Sequence, residues 1–325
     1  MREREVIERL RRIATAPEAR GLLDDVAVLD GLVITHDSIA EGVHFLPGDP
    51  PASVGWKLVT VNLSDLAAKG ATPAGALLSM TLSGDGAWES EFLTGIEHAC
   101  ESYGLSIIGG DTIALPGGSP RVFGLTAIGR GGANIPDRRG GQAGDCLWLV
   151  GTVGDAALGL SQLQADPKAS GPLVDIYRRP IPQLGAGAVL APHAHAMMDV
   201  SDGLLLDAQR MAGASGCAIA LELEALPLSS AFVAERGGDL DARLFAATGG
   251  DDYALLAALP ASLDAATLSL PQGTRITRVG TLSAGEPMIS VTWRGETVAV
   301  PERLGFEHEG DHGRGISASP VADRR

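Results

Sequence analysis

The sequence has little positive charge, few cysteines and few aromatic residues, and these shortages exclude several classes of protein. Lysine and arginine number 25 against 40 acidic residues, which gives a net charge of −15. Such an acidic surface repels phosphate backbones and anionic lipid, so we expect no nucleic-acid partner and no membrane partner. The three cysteines, Cys100, Cys146 and Cys217, lie far apart without a CxxC pair, so neither a disulfide framework nor a cysteine zinc site is predicted.

Long apolar runs and several familiar motifs are also missing. No apolar run approaches about 18 residues, and residues 1–12 are charged and helical in pattern rather than signal-like. These features predict a cytoplasmic protein. The sequence contains no GxxxxGK[ST] loop, no GxGxxG in a strand–helix setting, and no HExxH, GxSxG or kinase catalytic-loop motif.

The length predicts two domains, since roughly 150 residues is typical of one domain. A segment rich in glycine at 129–144 is the best candidate boundary. We therefore expect an N-terminal domain over 1–135, a C-terminal domain over 145–308 and a disordered tail over 309–325. Predicted strands outnumber clean strand–helix alternations, which favours an α+β fold in both domains over a doubly wound sheet.

Apolar periodicity and glycine or proline breaks predict the individual elements. A short amphipathic helix is expected before Gly21. The other predicted helices cover 53–69, 87–103, 155–164 and 203–212. The predicted strands include 26–29, 32–35, 75–82, 105–108, 121–128, 146–150, 196–199, 217–223, 253–259 and 275–279.

The pair Asp30-Gly31 predicts a two-residue hairpin turn, in which Leu29 pairs with Leu32. The same register brings three carboxylates to the open end of the hairpin: Asp24, Asp25 and Asp37. Like charges on neighbouring strands are destabilising unless a cation lies between them, and a hard divalent ion with oxygen ligands is the simplest candidate. A frayed hairpin end with all three carboxylates in water is the alternative.

Three further polar groups suggest a site. Asn62, Asp65 and Lys69 share one face of the predicted helix 53–69, which is either a solvated face or a site face. The segment Gly109-Gly110-Asp111 follows an apolar run, where glycines allow close approach to a phosphate and the aspartate can hold a metal. Ser201-Asp202-Gly203 precedes a predicted helix, either as an anion site or as a plain N-cap.

The order of these groups resembles that of thiamine-monophosphate kinases. Gly21-Leu-Leu-Asp24-Asp25 resembles the GxGDD opening of that family, and Val61-Asn-Leu-Ser-Asp65-Leu-Ala-Ala-Lys-Gly-Ala71 resembles its VNLSDLAAMGA helix. Further matching segments follow in family order, from about residue 20 to 308: Thr35-His36-Asp37, Glu41-Gly-Val-His44-Phe45-Leu46, Ile108-Gly-Gly-Asp111-Thr112, Gly151-Thr152-Val153-Gly154-Asp155, Arg179-Pro180-Ile-Pro182, Met198-Asp-Val-Ser-Asp-Gly-Leu204 and Gly249-Gly250-Asp251-Asp252-Tyr253.

The resemblance implies a fold and an activity. The family belongs to a superfamily with aminoimidazole ribonucleotide synthetase and selenophosphate synthetase. It implies an N-terminal α+β domain whose strands form the interface of a homodimer, and a C-terminal α+β domain. It also implies ATP-dependent phosphorylation of thiamine monophosphate to thiamine diphosphate, with several Mg²⁺ ions. The attacking phosphate oxygen is already ionised, so no residue is expected to act as a general base.

The resemblance also assigns residues by motif position. The metal positions are Asp25, Thr35, His36, Asp37, Asp65, Asp111, Asp199 and Asp202. The ATP positions are Tyr103, Gly110, Asp111, Arg138 and Ser201. The positions that face the thiamine substrate are His44, Asp251 and Phe306.

Four positions depart from the family pattern. Leu23 replaces the second glycine of GxGDD, and Gln183 replaces an arginine. Asp251 replaces glutamate, and Phe306 replaces an aromatic residue that is often tyrosine. The metal positions are intact, so these departures are expected to affect substrate affinity more than the chemistry.

Two other functions are compatible with the residues. One is another ATP-using enzyme of the superfamily, although a selenophosphate synthetase would need a reactive residue near its start, where this chain has neither cysteine nor selenocysteine. The other is an acidic divalent-metal-binding protein without turnover. Against it, no EF-hand loop occurs, and ligands dispersed along a chain need a folded cleft to converge.

Overall fold

The described residues form two sheets, one from each half of the sequence. The structure is a computed structural model that describes residues 3–263 and 267–307. The predicted tail at 309–325 lies outside the described residues. Mixed helices and sheets in both halves confirm the predicted α+β class. Among the described helices, none is both long and apolar enough to cross a bilayer.

The first half forms a five-stranded sheet in the order β1-β2-β5-β3-β4. Its elements are α1 (Glu3–Leu10), a 3-10 helix (Pro17–Leu22), β1 (Ala27–Leu29), β2 (Leu32–Ala40), α2 (Pro51–Ala68), β3 (Thr72–Leu82), α3 (Gly86–Tyr103), β4 (Ile107–Ala114) and β5 (Val122–Arg130). The predicted hairpin register is confirmed, because Leu29 pairs with Leu32 across Asp30-Gly31. Both turn residues have positive φ, as a tight hairpin turn of this kind requires.

The second half forms a seven-stranded sheet in the order β12-β11-β8-β10-β6-β9-β7. Its elements are β6 (Cys146–Val150), α4 (Asp155–Ala165), α5 (Pro172–Arg178), α6 (Leu184–Leu190), β7 (Ala196–Val200), α7 (Leu204–Ser215), β8 (Ala218–Glu222), a 3-10 helix (Leu223–Ala225), α8 (Ser230–Arg236), α9 (Leu240–Thr248), β9 (Ala254–Leu259), β10 (Ile276–Ser283), β11 (Ile289–Trp293) and β12 (Glu296–Val298). The strand predicted at 146–150 is confirmed at both ends.

One predicted strand was placed wrongly. The strand expected at 105–108 is β4, which begins at Ile107 and continues to Ala114. Gly109 and Gly110 therefore lie inside a strand and not in a loop after it. Gly110 has φ 151°, and a Cβ there would lie 1.9 Å from the carbonyl oxygen of Leu78 on the parallel strand β3. Only glycine can follow β3 this closely.

Helix α2 is the element shared by both halves. Fourteen of its 18 residues are buried, so it has almost no solvent face. It contacts β2 and β5 in the first half, and α6 and β7 in the second. The approach to α6 is close, because a Cβ on Gly187 would lie 1.9 Å from the carbonyl oxygen of Ala67. The polar face predicted on this helix is therefore buried between the two halves.

Candidate active site

A cleft of about 400 Å³ lies between the two halves. Residues of β2 and α2 contribute to one wall, and the segments that follow β7 and α9 contribute to the other. The cleft brings together most of the residues singled out from the sequence. Those that line it are Asp25, Asp37, His44, Arg138, Ser201, Asp202, Asp251 and Phe306.

Three aspartates from separate parts of the chain converge, and one of them, Asp25, lines the cleft. One carboxylate oxygen each of Asp25, Asp65 and Asp199 lies within 4.8 Å of the others. Asp65 is 5% exposed and Asp199 is 4% exposed. The Asp65 carboxylate accepts a hydrogen bond from the Thr35 hydroxyl, and the Asp199 carboxylate accepts one from the Ser64 hydroxyl at 2.6 Å. We call Asp25, Asp65 and Asp199 the acidic triad.

Strand β2 adds Asp37 to this region. The backbone N–H of Asp37 donates to the side-chain oxygen of Asn62 on α2 at 2.9 Å, which fixes the strand against the helix. Thr35 and Asp37 are two residues apart on β2, so their side chains point to the same face of the sheet. The predicted polar face of Asn62 and Asp65 is thus buried and not solvated.

Two arginines that line the cleft neutralise carboxylates. Arg138 donates to both oxygens of Asp25. Arg210 donates to Asp202 at 2.5 Å and to Asp207 at 2.8 Å. Sequence reasoning singled out Arg138 and missed Arg210. The spacing of Asp207 and Arg210 on one face of a predicted helix was the available signal.

The prediction that Asp24 joins Asp25 and Asp37 around a cation was wrong. Its side chain is buried, and it accepts from Arg20 at 2.6 Å and from Lys69 at 2.6 Å. Two cations already balance this carboxylate, so it is a structural ion pair. Lys69 is itself fully buried and also donates to the carbonyl oxygen of Met197 at 2.9 Å.

Burial and mutual repulsion disfavour ionisation of the remaining carboxylates. Burial, together with the charges of Asp25 and Asp202, raises the pKa of Asp37 to about 6. Burial and the charge of Asp25 raise the pKa of Asp199 to about 8. Burial and the neighbouring aspartates also raise the pKa of Asp65 well above its ordinary value. Asp25 is the exception, because Arg138 and Lys69 outweigh the effect of burial and lower its pKa.

This donor set fits a hard divalent cation. The converging atoms are carboxylate oxygens, with a threonine hydroxyl beside them, and neither a histidine nitrogen nor a sulfur belongs to the described triad. Oxygen-only ligands suit Mg²⁺. Burial and, after it, the neighbouring aspartates make these carboxyl groups costly to ionise, and a cation between them would offset that cost.

The metal-free protein is expected to lose stability as the pH rises from 5 to 8. A carboxyl group whose pKa is higher in the folded state than its ordinary 3.8 binds its proton more tightly when the protein is folded. The free energy of unfolding therefore falls as the pH rises through this range. Thermal unfolding in chelator should therefore give a lower Tm at pH 8 than at pH 5.5, and Mg²⁺ should restore it. Asp199→Asn should reduce the pH dependence. An unchanged slope in that variant would contradict the assignment.

The residues expected to face the substrate also line the cleft. The backbone N–H of Ala40 donates to Nδ1 of His44 at 3.1 Å, which places the proton of a neutral ring on Nε2. Asp251 has φ 67°, a left-handed conformation that is costly for a residue with a side chain. Its backbone N–H donates to the carbonyl oxygen of Ser201 at 2.7 Å, which holds the turn against the end of β7.

Ser201 and Asp202 are not plain N-caps. The N-cap of α7 is Gly203, and no side chain caps this helix. The carboxylate of Asp207 instead accepts from the backbone N–H groups of Ser201 and Asp202, each at 3.1 Å. This arrangement leaves the side chains of Ser201 and Asp202 among the residues that line the cleft.

Four described residues of the predicted set lie away from the cleft. The ring of His36 points to the opposite face of β2 from Asp37, where its Nδ1 lies 2.9 Å from the Thr126 hydroxyl. Tyr103 ends α3 and packs edge-on against Trp56, with 5.7 Å between ring centres. The other two, Gly110 and Asp111, lie on the exposed edge strand β4.

Comparison with known proteins gives the class. The chain matches the models for the N-terminal domain of AIR synthase related proteins over residues 23–130 and for the C-terminal domain over 142–290. It is therefore a two-domain protein of the AIR synthase-related class.

Individual relatives narrow the class. A thiamine-monophosphate kinase of Caulobacter vibrioides is 37% identical over 90% of this chain and 86% of its own length. A structure titled "AaThiL complexed with AMPPCP and TMP" superposes with a TM-score of 0.82, is 29% identical, and matches 95% of this chain and 97% of its own. The thiamine-monophosphate kinase of Stenotrophomonas maltophilia K279a is 34% identical, with a TM-score of 0.72 over 90% of this chain and 96% of its own. The chain belongs to the thiamine-monophosphate kinase family.

Proposed function

We propose that this protein transfers the terminal phosphoryl group of ATP to the phosphate of thiamine monophosphate, which yields thiamine diphosphate and ADP. The observation that carries the proposal is one cleft lined by Asp25, Arg138, His44 and Asp251, in which Asp25 is joined by Asp65 and Asp199 to form the acidic triad. A carboxylate-lined cleft by itself would repel the phosphate groups of both reactants, so the triad implies a cation as mediator. The reaction is expected in the cytoplasm, where ATP is available.

The transfer is a direct in-line displacement. An ionised oxygen of thiamine monophosphate attacks the γ-phosphorus, a new P–O bond forms, and the bond to the β,γ-bridging oxygen breaks, with ADP leaving on that electron pair. No proton has to be removed from the nucleophile, so the proposal assigns no residue the role of general base.

The chain's own residues have two tasks in this reaction. Asp25, Asp37, Asp65, Asp199 and Asp202 would hold Mg²⁺, which when bound supplies positive charge to the phosphate oxygens. Arg138 and Ser201 would orient the phosphates of ATP, and His44, Asp251 and Phe306 would bind the thiamine moiety.

A direct assay tests the proposal. Purified protein with ATP, Mg²⁺ and thiamine monophosphate should form thiamine diphosphate, detected by chromatography, and a chelator should stop its formation. Unphosphorylated thiamine is the control acceptor and should give no product. ATP consumption without thiamine diphosphate would favour another enzyme of the superfamily. Calorimetric uptake of the cation without turnover would favour a metal-binding protein.

The proposal includes a homodimer, because the edge strand β4 is unsuited to remain in water. All eight of its residues are exposed, with Ile107, Ile108 and Ile113 between 41% and 61% exposed. In the register of the sheet, Asp111 lies opposite Ser79 on β3, three strands from Ser38 on β2. That is about 14 Å along the sheet, too far to share an ion with Asp37. A second copy of the chain that covers β4 could bring its Asp111 to the cleft.

Mixed dimers test this contribution. If Asp111 acts across the interface, a heterodimer of an Asp65→Asn subunit and an Asp111→Asn subunit contains one site with both aspartates intact. Heterodimers isolated through two different affinity tags should then show about half of the wild-type turnover, although each variant alone is inactive. If Asp111 acted within its own chain, both sites would lack one aspartate. Inactive heterodimers would therefore contradict the shared site.

A further inference from the structure

A buried lysine contacts the two polar residues that are expected to face the substrate. Lys57 lies in α2 and is 2% exposed. Its Nζ donates to Oδ2 of Asp251 at 2.8 Å and to the backbone carbonyl oxygen of His44 at 2.9 Å. It also lies 4.2 Å from the centre of the Tyr177 ring. An ammonium has three N–H groups, and these three contacts account for all of them.

The carboxylate that Lys57 contacts is held at both oxygens. The hydroxyl of Tyr253 donates to Oδ1 of Asp251 at 3.1 Å, while Oδ2 accepts from Lys57. The backbone of the turn is held as well, because the N–H of Tyr253 donates to the carbonyl oxygen of Val200 at 2.8 Å. Tyr253 shares the left-handed conformation of Asp251, with φ 51°. The orientation of this carboxylate is therefore determined by its surroundings before any ligand binds.

We propose that Lys57 is a positioning residue that orients Asp251 and His44 toward the thiamine moiety and so sets the affinity for thiamine monophosphate. This inference rests on the proposed function. The described hydrogen bonds of Lys57 go to His44 and Asp251 and not to the acidic triad. Loss of Lys57 therefore affects binding of the acceptor and leaves the phosphoryl transfer itself nearly unchanged.

The Lys57–Asp251 pair also determines what Asp251 can offer to a ligand. With an ammonium on one oxygen and a hydroxyl on the other, the carboxylate is neutralised in place and acts as a directed hydrogen-bond acceptor. It does not act as a bare counter-ion for the cationic thiazolium ring. These two roles predict opposite effects of removing Lys57 on the affinity for thiamine monophosphate. A bare counter-ion would attract the thiazolium ring more strongly without Lys57, whereas a directed acceptor would lose its orientation.

The test is Lys57→Met, which keeps the length of the side chain and removes its charge. We expect KM for thiamine monophosphate, and its Kd by calorimetry, to rise about tenfold or more. We expect kcat and KM for ATP to stay within about twofold of the wild-type values. An interaction that is lost equally from the bound substrate and from the transition state raises KM for that substrate and does not alter the chemical step. An unchanged or lower KM for thiamine monophosphate would overturn the inference.

A matched control removes a similar ion pair outside the cleft lining. Arg178 donates to Oδ1 of Asp49 at 2.8 Å, also between the two halves of the chain. Arg178→Met should alter Tm without altering KM for either substrate. A rise in KM for thiamine monophosphate equal to that of Lys57→Met would show that any lost ion pair between the halves has this effect, and would overturn the specific role of Lys57.

A double variant covers the case in which Lys57→Met does not fold. Lys57→Met combined with Asp251→Asn removes both charges and leaves no unpaired buried ion. Its KM for thiamine monophosphate should equal that of Asp251→Asn alone, because Lys57 acts largely through Asp251. Additive effects would contradict the inference. Wild-type protein without turnover would contradict the proposed function itself, whereas active wild type with additive variants would contradict only the role of Lys57.

Discussion

Asp65→Asn is expected to lower kcat by about a thousandfold or more and, at the same time, to raise the Tm of the metal-free protein at pH 8. Asparagine has the same shape and can still accept the hydrogen bond from Thr35, so the local packing is kept. It removes a carboxyl group whose ionisation burial and the neighbouring aspartates make costly, and for that reason the folded state gains stability. Product formation and thermal unfolding measure the two effects on one sample.

A fall in kcat together with a rise in Tm would distinguish a functional role of Asp65 from structural damage. A variant that loses activity because it is misfolded would lose stability as well. Asp239→Asn is the matched control, since Asp239 caps α9 by accepting from the N–H of Ala242 at 2.9 Å, and asparagine caps equally well. Its kcat should equal that of the wild type. Near wild-type turnover in Asp65→Asn would contradict the metal role of the acidic triad.

Gly95→Ala is expected to destabilise the fold by about 3 kcal/mol or more, despite the better helix propensity of alanine. Gly95 lies in α3 where that helix crosses α2, and a Cβ there would lie 1.9 Å from the carbonyl oxygen of Ala52. The contact is reciprocal, because a Cβ on Gly55 of α2 would lie 2.1 Å from the carbonyl oxygen of Phe92. The two helices would have to separate, and Asp65 is carried on one of them.

A second glycine inside a helix provides the control, and denaturant unfolding measures the stability of both variants. Gly213 lies in α7, and a Cβ there meets nothing within 4 Å. Gly213→Ala should therefore stabilise the protein by up to about 1 kcal/mol. If Gly95→Ala were as stable as Gly213→Ala, the close crossing of α2 and α3 would not be required for folding.

The sequence was sufficient for features that depend on local chemistry. Asp30-Gly31 determined the hairpin register correctly, and the polar face of α2 was placed on the right helix. The short motifs then identified many residues of the cleft, among them Asp25, His44 and Asp251. Assignments of individual roles to these residues stay predictions.

Features that depend on distant contacts were missed or misplaced. β4 was cut short because its central glycines have low strand propensity, and only pairing with β3 explains them. Asp24 was grouped with the metal carboxylates because its partner Lys69 is 45 residues away in the chain. Lys57 was overlooked for the same reason, since a lysine in an apolar helix gives no sign of a partner 194 residues later.

The burial of α2 against both sheets has a consequence for fragments of the chain. A fragment that ends near residue 135 would expose the side of α2 that packs on α6 and β7, and a fragment that begins near 145 would expose the matching surface of the second sheet. Both surfaces are apolar, with Ala67 and Ala68 packed in one cluster with Leu190 and Leu255. Neither fragment should fold alone, and co-expression of the two pieces should restore a soluble complex.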